Sequence, residues 1–167
     1  IRTATRGREN FCAGAGRQTA HCAGWLCAKP ARCATQNSGF GQLNVLVDTS
    51  VWVDHFRRHN TGLAALLAAD GVLTHPMVIA ELACGTPPAP REKSLSDIEL
   101  LQSAKQATLP EVRALIEREK LYQSGCGLVD LILLTSTLIT PGAGLWTRDK
   151  RLAGLAAQFG VAYLPAM

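Results

Sequence analysis

Four short apolar runs, none alternating with polar residues, recur through residues 43–167 with helix-length segments between them. They are Val45-Leu46-Val47, Val72-Leu73, Leu145-Trp146 and Val161-Ala162-Tyr163-Leu164. A strand with one face in water alternates, whereas a strand that is apolar throughout needs cover on both faces. Parallel strands joined by crossover helices have that cover. The expected fold class is therefore α/β, with a short, mostly parallel central sheet flanked by helices. In such sheets, ligands bind beyond the carboxyl ends of the strands.

The local signals place strands at Asn44 to Thr49, Val72 to His75, Leu145 to Thr147 and Val161 to Leu164. Ser50 is expected to cap a helix from Val51 to about His59, and Thr61 to Ala69 forms a second, closed by Asp70-Gly71. Pro76 starts a third, which stops at Gly85. Polar helices are expected at Ser94 to Lys105 and Pro110 to Tyr122. Gly125-Cys126-Gly127 then breaks the chain before an apolar helix that Asp130 enters, and a last helix runs from Lys150 to Phe159.

The net charge of +4 is unevenly distributed. Residues 1–42 hold Arg2, Arg6, Arg8, Arg17, Lys29 and Arg32 against Glu9 alone, a charge of +5, which leaves −1 for residues 43–167. The folded part is nearly neutral, so the basic total is no warrant for nucleic-acid binding. Cys12, Cys22, Cys27 and Cys33 lie in the same N-terminal stretch, without the paired C-x2-C spacing of common zinc sites. Residues 1–42 show neither helical nor strand periodicity. They are read as a mobile extension outside the fold, read through from upstream of a natural start at Leu43, Val45 or Val47. Cys84 and Cys126 are expected as core thiols in a reducing compartment, the cytoplasm. The longest apolar stretch, Leu128 to Ile139, is interrupted by Asp130 and three hydroxyl residues and falls short of the ~20 residues that span a bilayer. No membrane association is expected.

Asp48, Glu81, Asp130 and Asp149 each stand where an apolar segment meets a polar one. Gathered into one cleft without a cation, four carboxylates would repel and take up protons. A hard divalent ion with oxygen preference removes that conflict, so the set reads as a site for Mg²⁺, or Mn²⁺ in its place. Asp48 and Asp130 are the favoured direct ligands, with Glu81 and Asp149 binding a second ion or orienting water. His55, His59 and His75 are too scattered to suggest a histidine-based catalytic site. Arg57, Arg58, Arg148, Lys150 and Arg151 lie near the expected rim, where each is either a phosphate contact or an ordinary solvated charge.

The segments Val45-Leu46-Val47-Asp48-Thr49-Ser50-Val51-Trp52, Val78-Ile79-Ala80-Glu81-Leu82, Gly127-Leu128-Val129-Asp130 and Leu145-Trp146-Thr147-Arg148-Asp149 resemble the acidic motifs of PIN-domain nucleases, in the same order. The nearest likeness is to VapC-like toxins of bacterial toxin–antitoxin pairs, over residues 43–167. The resemblance implies a PIN-like three-layer sandwich and a Mg²⁺-dependent endoribonuclease that cuts structured RNA (tRNA or rRNA) and so inhibits translation. It also implies a homodimer and a VapB-like antitoxin that neutralises the toxin. Asp48, Glu81, Asp130 and Asp149 carry over as the acidic cluster, with Ser50 and Thr147 as polar support. The apolar residues Trp52, Val53, Phe56, Leu63, Leu66 and Leu67 are expected to leave a groove for an antitoxin helix.

Two other classes compete. A haloacid-dehalogenase-like phosphohydrolase also opens with a strand ending in Asp, but needs a second Asp two residues on, where this chain has Ser50. A catalytically silent PIN-fold binding module would have lost one of the acids, and none is lost.

Overall fold

The structure, a computed structural model, describes residues 44–165. The expected extension over residues 1–42, with its four cysteines, lies outside the described residues.

The chain begins with β1 (Asn44–Val47), then α1 (Thr49–Arg58), α2 (Thr61–Ala68), β2 (Val72–Thr74) and α3 (Pro76–Cys84). It continues through α4 (Arg91–Glu99), β3 (Gln102–Ser103), α5 (Leu109–Glu119), a 3-10 turn (Leu121–Gln123), α6 (Leu128–Ile139), β4 (Ala143–Trp146) and α7 (Lys150–Gln158). The sheet has the order β3-β2-β1-β4 and all its pairs are parallel. From β1 the chain builds outward through β2 to β3, then returns to place β4 on the other side of β1. The strand order therefore reverses between β1 and β4, the place where open α/β sheets leave a crevice for ligands.

The central strand β1 is covered on both faces, and Val45, Leu46 and Val47 are all buried. In α6 the seven residues from Leu131 to Thr137 are buried in succession, so this helix is enclosed on every side. Its hydroxyls are reconciled with that burial by back-bonding to the preceding turn: Thr135 Oγ1 donates to Leu131 O at 2.6 Å and Thr137 Oγ1 to Leu133 O at 2.8 Å. Trp52, Leu63, Leu133 and Leu134 fill the centre, each stabilising by about 1.5–3 kcal/mol relative to exposure. A second cluster of Val112, Leu115, Leu121, Leu131 and Ile132 seats α5 on α6.

The α/β class and parallel sheet agree with the sequence reading, while several boundaries do not. Asp48, not Ser50, is the N-cap of α1, and the helix begins at Thr49. The expected helix from Ser94 to Lys105 is α4, which starts earlier and ends at Glu99; the chain then forms β3. The helix expected to reach Tyr122 stops at Glu119, because Lys120 is left-handed at φ 55°. The expected last strand reduces to one bridge between Leu145 and Ala162. Of the six apolar residues on α1 and α2, Trp52, Leu63 and Leu66 are buried, while Val53, Phe56 and Leu67 are partly buried and pack against the same core.

Candidate functional site

Three strands end at the same edge of the sheet and hand the chain to a helix through a capping side chain: Asp48 between β1 and α1, His75 between β2 and α3, Asp149 between β4 and α7. Capping needs an acceptor aimed at the first free N–H groups of a helix, and the local field there favours negative charge. Two of the four expected acids thus arise at helix N-termini flanking the β1–β4 crevice. Asp130 is a third, in the first turn of α6.

Asp48 is buried, and Oδ2 receives every hydrogen bond its side chain makes to the described residues. The donors are Ser50 N–H at 3.3 Å, Ser50 Oγ at 2.5 Å and Thr147 Oγ1 at 2.8 Å. The two hydroxyls are themselves held from β4: Ser50 Oγ accepts Arg148 N–H at 3.0 Å, and Thr147 Oγ1 accepts Asp149 N–H at 3.0 Å. Ser50 and Thr147 therefore lock the ends of β1 and β4 together around one carboxylate oxygen.

The other acids repeat the pattern. Asp149 caps α7 through Oδ1, which accepts Arg151 N–H at 2.8 Å and Leu152 N–H at 2.9 Å. Asp130 uses Oδ2 to accept Gly127 N–H at 2.8 Å. Glu81, exposed on α3, accepts Thr49 Oγ1 on Oε2 at 2.6 Å. In all four, the second oxygen accepts nothing from the described residues.

Charge crowding is visible at Asp130. Partial burial pushes its carboxyl above the usual range; the Gly127 N–H opposes this, and the charges of Asp48 and Asp149 push it further up. The Cys126 thiol is also raised, first by burial and in part by Asp130 and Asp149. Asp48, Asp130 and Asp149 thus lie within electrostatic reach of one another. Glu81 joins them through Thr49, the residue after Asp48.

As the side chains stand, no three His, Cys, Asp or Glu residues among those described are set to hold a metal ion. The donor chemistry nonetheless fits a hard cation: carboxylate and hydroxyl oxygens are offered, one carboxylate oxygen of each acid is unused, and burial, with the charges of Asp48 and Asp149 added, has raised Asp130.

Of the rim cations, Arg148 is committed to Asp54 at 2.8 Å and Arg58 lies 4.0 Å from the same carboxylate. Arg151 donates to Gly125 O at 2.9 Å, and Gly125, at φ 73°, makes the turn that leads into α6. Arg57 and Lys150 are exposed. Sequence reasoning missed Thr49, which holds Glu81, and Asp54, which holds Arg148; each pairing joins residues far apart in the chain, and no local pattern signals it. It also passed over His75 as a cap, although its place immediately before Pro76 is an N-cap signal.

With this geometry in view, the comparison with known families gives the class. The PIN domain matches residues 45–158, and the chain belongs to the PIN-domain family. Among individual proteins, it is 43% identical over 118 residues to Ribonuclease VapC32 of Mycobacterium tuberculosis, in strain CDC 1551 / Oshkosh and equally in strain ATCC 25618 / H37Rv. The match covers 71% of this chain and 94% of that relative, which bears out the VapC-like resemblance.

Proposed function

We infer that this chain is a VapC-type ribonuclease, a Mg²⁺-dependent endonuclease acting on structured RNA such as tRNA or rRNA. The observation that supports it best is that Asp48, Asp130 and Asp149 lie within electrostatic reach of one another, with Glu81 tied to Thr49 beside Asp48, each acid having one oxygen bonded and one left over. The 43% identity to Ribonuclease VapC32 over 118 residues supports the same reading. The toxin role, a VapB-like antitoxin, a homodimer and a cytoplasmic setting belong to the same proposal. No helix among the described residues is long and apolar enough to cross a membrane.

Asp48 and Asp130 would hold the cation, with Glu81 and Asp149 completing the set or orienting water. The bound ion would supply a water of lowered pKa and offset negative charge at the phosphorus. The protein's part is to keep the carboxylates where they are. Ser50 and Thr147 fix Asp48 on one oxygen so that the other stays oriented, and the α7 N-terminus does the same for Asp149. Arg148, steadied by Asp54, and Lys150 offer cationic contacts for the phosphates on either side of the scissile bond.

The test is cleavage of purified structured RNA by the full chain with Mg²⁺, with EDTA, and with Mg²⁺ restored. Activity that disappears with EDTA and returns with the ion is expected. Cleavage that persists in EDTA would overturn the metal-dependent reading.

A further inference from the structure

Of the three capping side chains at the sheet edge, two are aspartates and one is a histidine, a residue outside the favoured N-cap set of Ser, Thr, Asp and Asn. His75 is only 3% exposed. Its Nδ1 accepts Met77 N–H at 3.1 Å, so in the neutral ring Nε2 carries the proton and donates to Ser136 Oγ at 3.2 Å. Ser136 is wholly buried on α6, and its hydroxyl also accepts Ala107 N–H, at 3.1 Å, from the segment that leads into α5. Four residues on, at the C-cap of α6, Thr140 Oγ1 accepts Lys105 N–H at 2.9 Å.

An aspartate or serine would cap α3, but is too short to bond to α6 as well. The imidazole does both: it joins the helix that carries Glu81 to the helix that carries Asp130 at one buried point. Each acid lies six residues from that point, about 9 Å of helical rise. Asp48 and Asp149 need no such link, because Ser50 and Thr147 already tie their strands together. Among the described residues, the Glu81 side chain is held only by Thr49, and that of Asp130 only by Gly127, the N-cap of its own helix. Their placement relative to each other follows from the placement of the two helices.

We propose that His75 and Ser136 are positioning residues for the acidic site, a buried cross-brace that sets α3 against α6 and thereby Glu81 against Asp130. The proposal rests on the reading of the four acids as a cation-binding set. A misplacement of about 1 Å can cost on the order of a hundredfold in rate, so a brace remote from the acids can matter as much as a contact beside them.

Its two functions separate by substitution. Asn in place of His75 keeps a short acceptor for Met77 N–H but does not reach Ser136; Gln reaches Ser136 but is a poorer cap; Ser136→Ala leaves the cap and removes the bridge together with the acceptor for Ala107 N–H. Each full-length variant is compared with wild type for unfolding, for Mn²⁺ binding by calorimetry without RNA, and for kcat and KM on RNA. His75→Asn and Ser136→Ala are expected to unfold cooperatively and keep KM within twofold. They should lose about threefold or more in Mn²⁺ affinity and about tenfold in kcat, with His75→Gln recovering much of both. The double variant His75→Asn with Ser136→Ala should be no worse than the weaker single, since either change breaks the same bond. Wild-type Mn²⁺ affinity in both single variants would overturn the brace, and so would losses that merely track the unfolded fraction. If the wild type binds Mn²⁺ but cleaves no RNA, the ribonuclease reading fails while the Mn²⁺ measurements still decide the brace. A wild type that binds no Mn²⁺ overturns both.

Discussion

The two halves of the sheet's carboxyl edge are built alike and finished differently. On the β1–β4 side, the strand-to-helix caps are aspartates; Asp48, Asp130 and Asp149 crowd one another, and each leaves an oxygen unused. On the β2–β3 side the cap is a neutral, buried histidine, with both ring nitrogens bonded and its Ser136 partner also holding Ala107 N–H. Uncompensated carboxylates cost stability, whereas satisfied buried polar groups add rigidity. The same backbone device thus carries the proposed cation site on one side and the proposed brace on the other, and the braced half bears on the helices that hold two of the acids.

The largest effect expected from breaking this division is on the charged half. Asp48→Asn and Asp130→Asn should each lower RNA cleavage by at least about a hundredfold at saturating Mg²⁺, a loss of ~2.7 kcal/mol in transition-state stabilisation. Single-turnover cleavage with the circular dichroism spectrum unchanged is the check. Full activity in either variant would remove that acid from the site.

On the neutral half the next effect is on stability. His75→Ala removes the α3 cap and leaves Met77 N–H and one bond of Ser136 unmade, so a loss of about 2–3 kcal/mol is expected. Urea unfolding measures it. A loss under about 0.5 kcal/mol would mean that the buried network is not a support.

How much of this division the sequence disclosed depends on where the signal was local. The non-alternating runs around Leu46, Leu73 and Leu145 announced a covered parallel sheet, and the acids at their ends pointed to one edge. β3 escaped because Gln102 and Ser103 are polar and exposed; pairing with Leu73 and Thr74 alone makes them a strand. The run Val161 to Leu164 looked like a strand because it is apolar, yet it lies at the margin of the sheet with Leu164 84% exposed. Ser50 and Asp48 are equally good caps by type, and only the backbone decides which residue is the first outside the helix. The link between His75 and Ser136 spans 61 residues, and no local pattern reports it.

Acidification sharpens the contrast. Burial lowers the pKa of His75 from the usual 6.5. At His55 burial again leads the lowering, with a smaller contribution from His59, against the Asn60 carbonyl and Asp54. Below 6.5 the unfolded chain therefore binds protons that the folded one refuses. The stability from these two groups is fully present above the unfolded value and is lost as pH falls through the window beneath it. The melting temperature should hold steady from about pH 8 to 7 and drop by several degrees toward pH 5.5. In His75→Asn the drop should be shallower, His55 alone remaining; an identical slope would place the titration elsewhere.

The smallest effect has the opposite sign. The carboxyl of Asp130 is raised in the folded state, so the native protein holds that proton to higher pH than the unfolded chain does. Asp130 accordingly favours folding below its unfolded pKa, and that contribution disappears as pH rises through the folded value. At neutral pH, ionised Asp130 is a liability, since burial and the charges of Asp48 and Asp149 outweigh the single bond from Gly127 N–H. Asparagine keeps an oxygen for that N–H and sheds the charge. Without divalent ions, Asp130→Asn should therefore melt at the wild-type temperature or a few degrees above it. Added Mg²⁺ should then reverse the order, because an ion that binds only the folded state stabilises by RT ln(1 + [L]/Kd), and the variant binds it less well. Calorimetric scans of both proteins with and without Mg²⁺ decide the matter. A metal-free variant that melts well below wild type would show that Asp130 serves the fold before it serves the site.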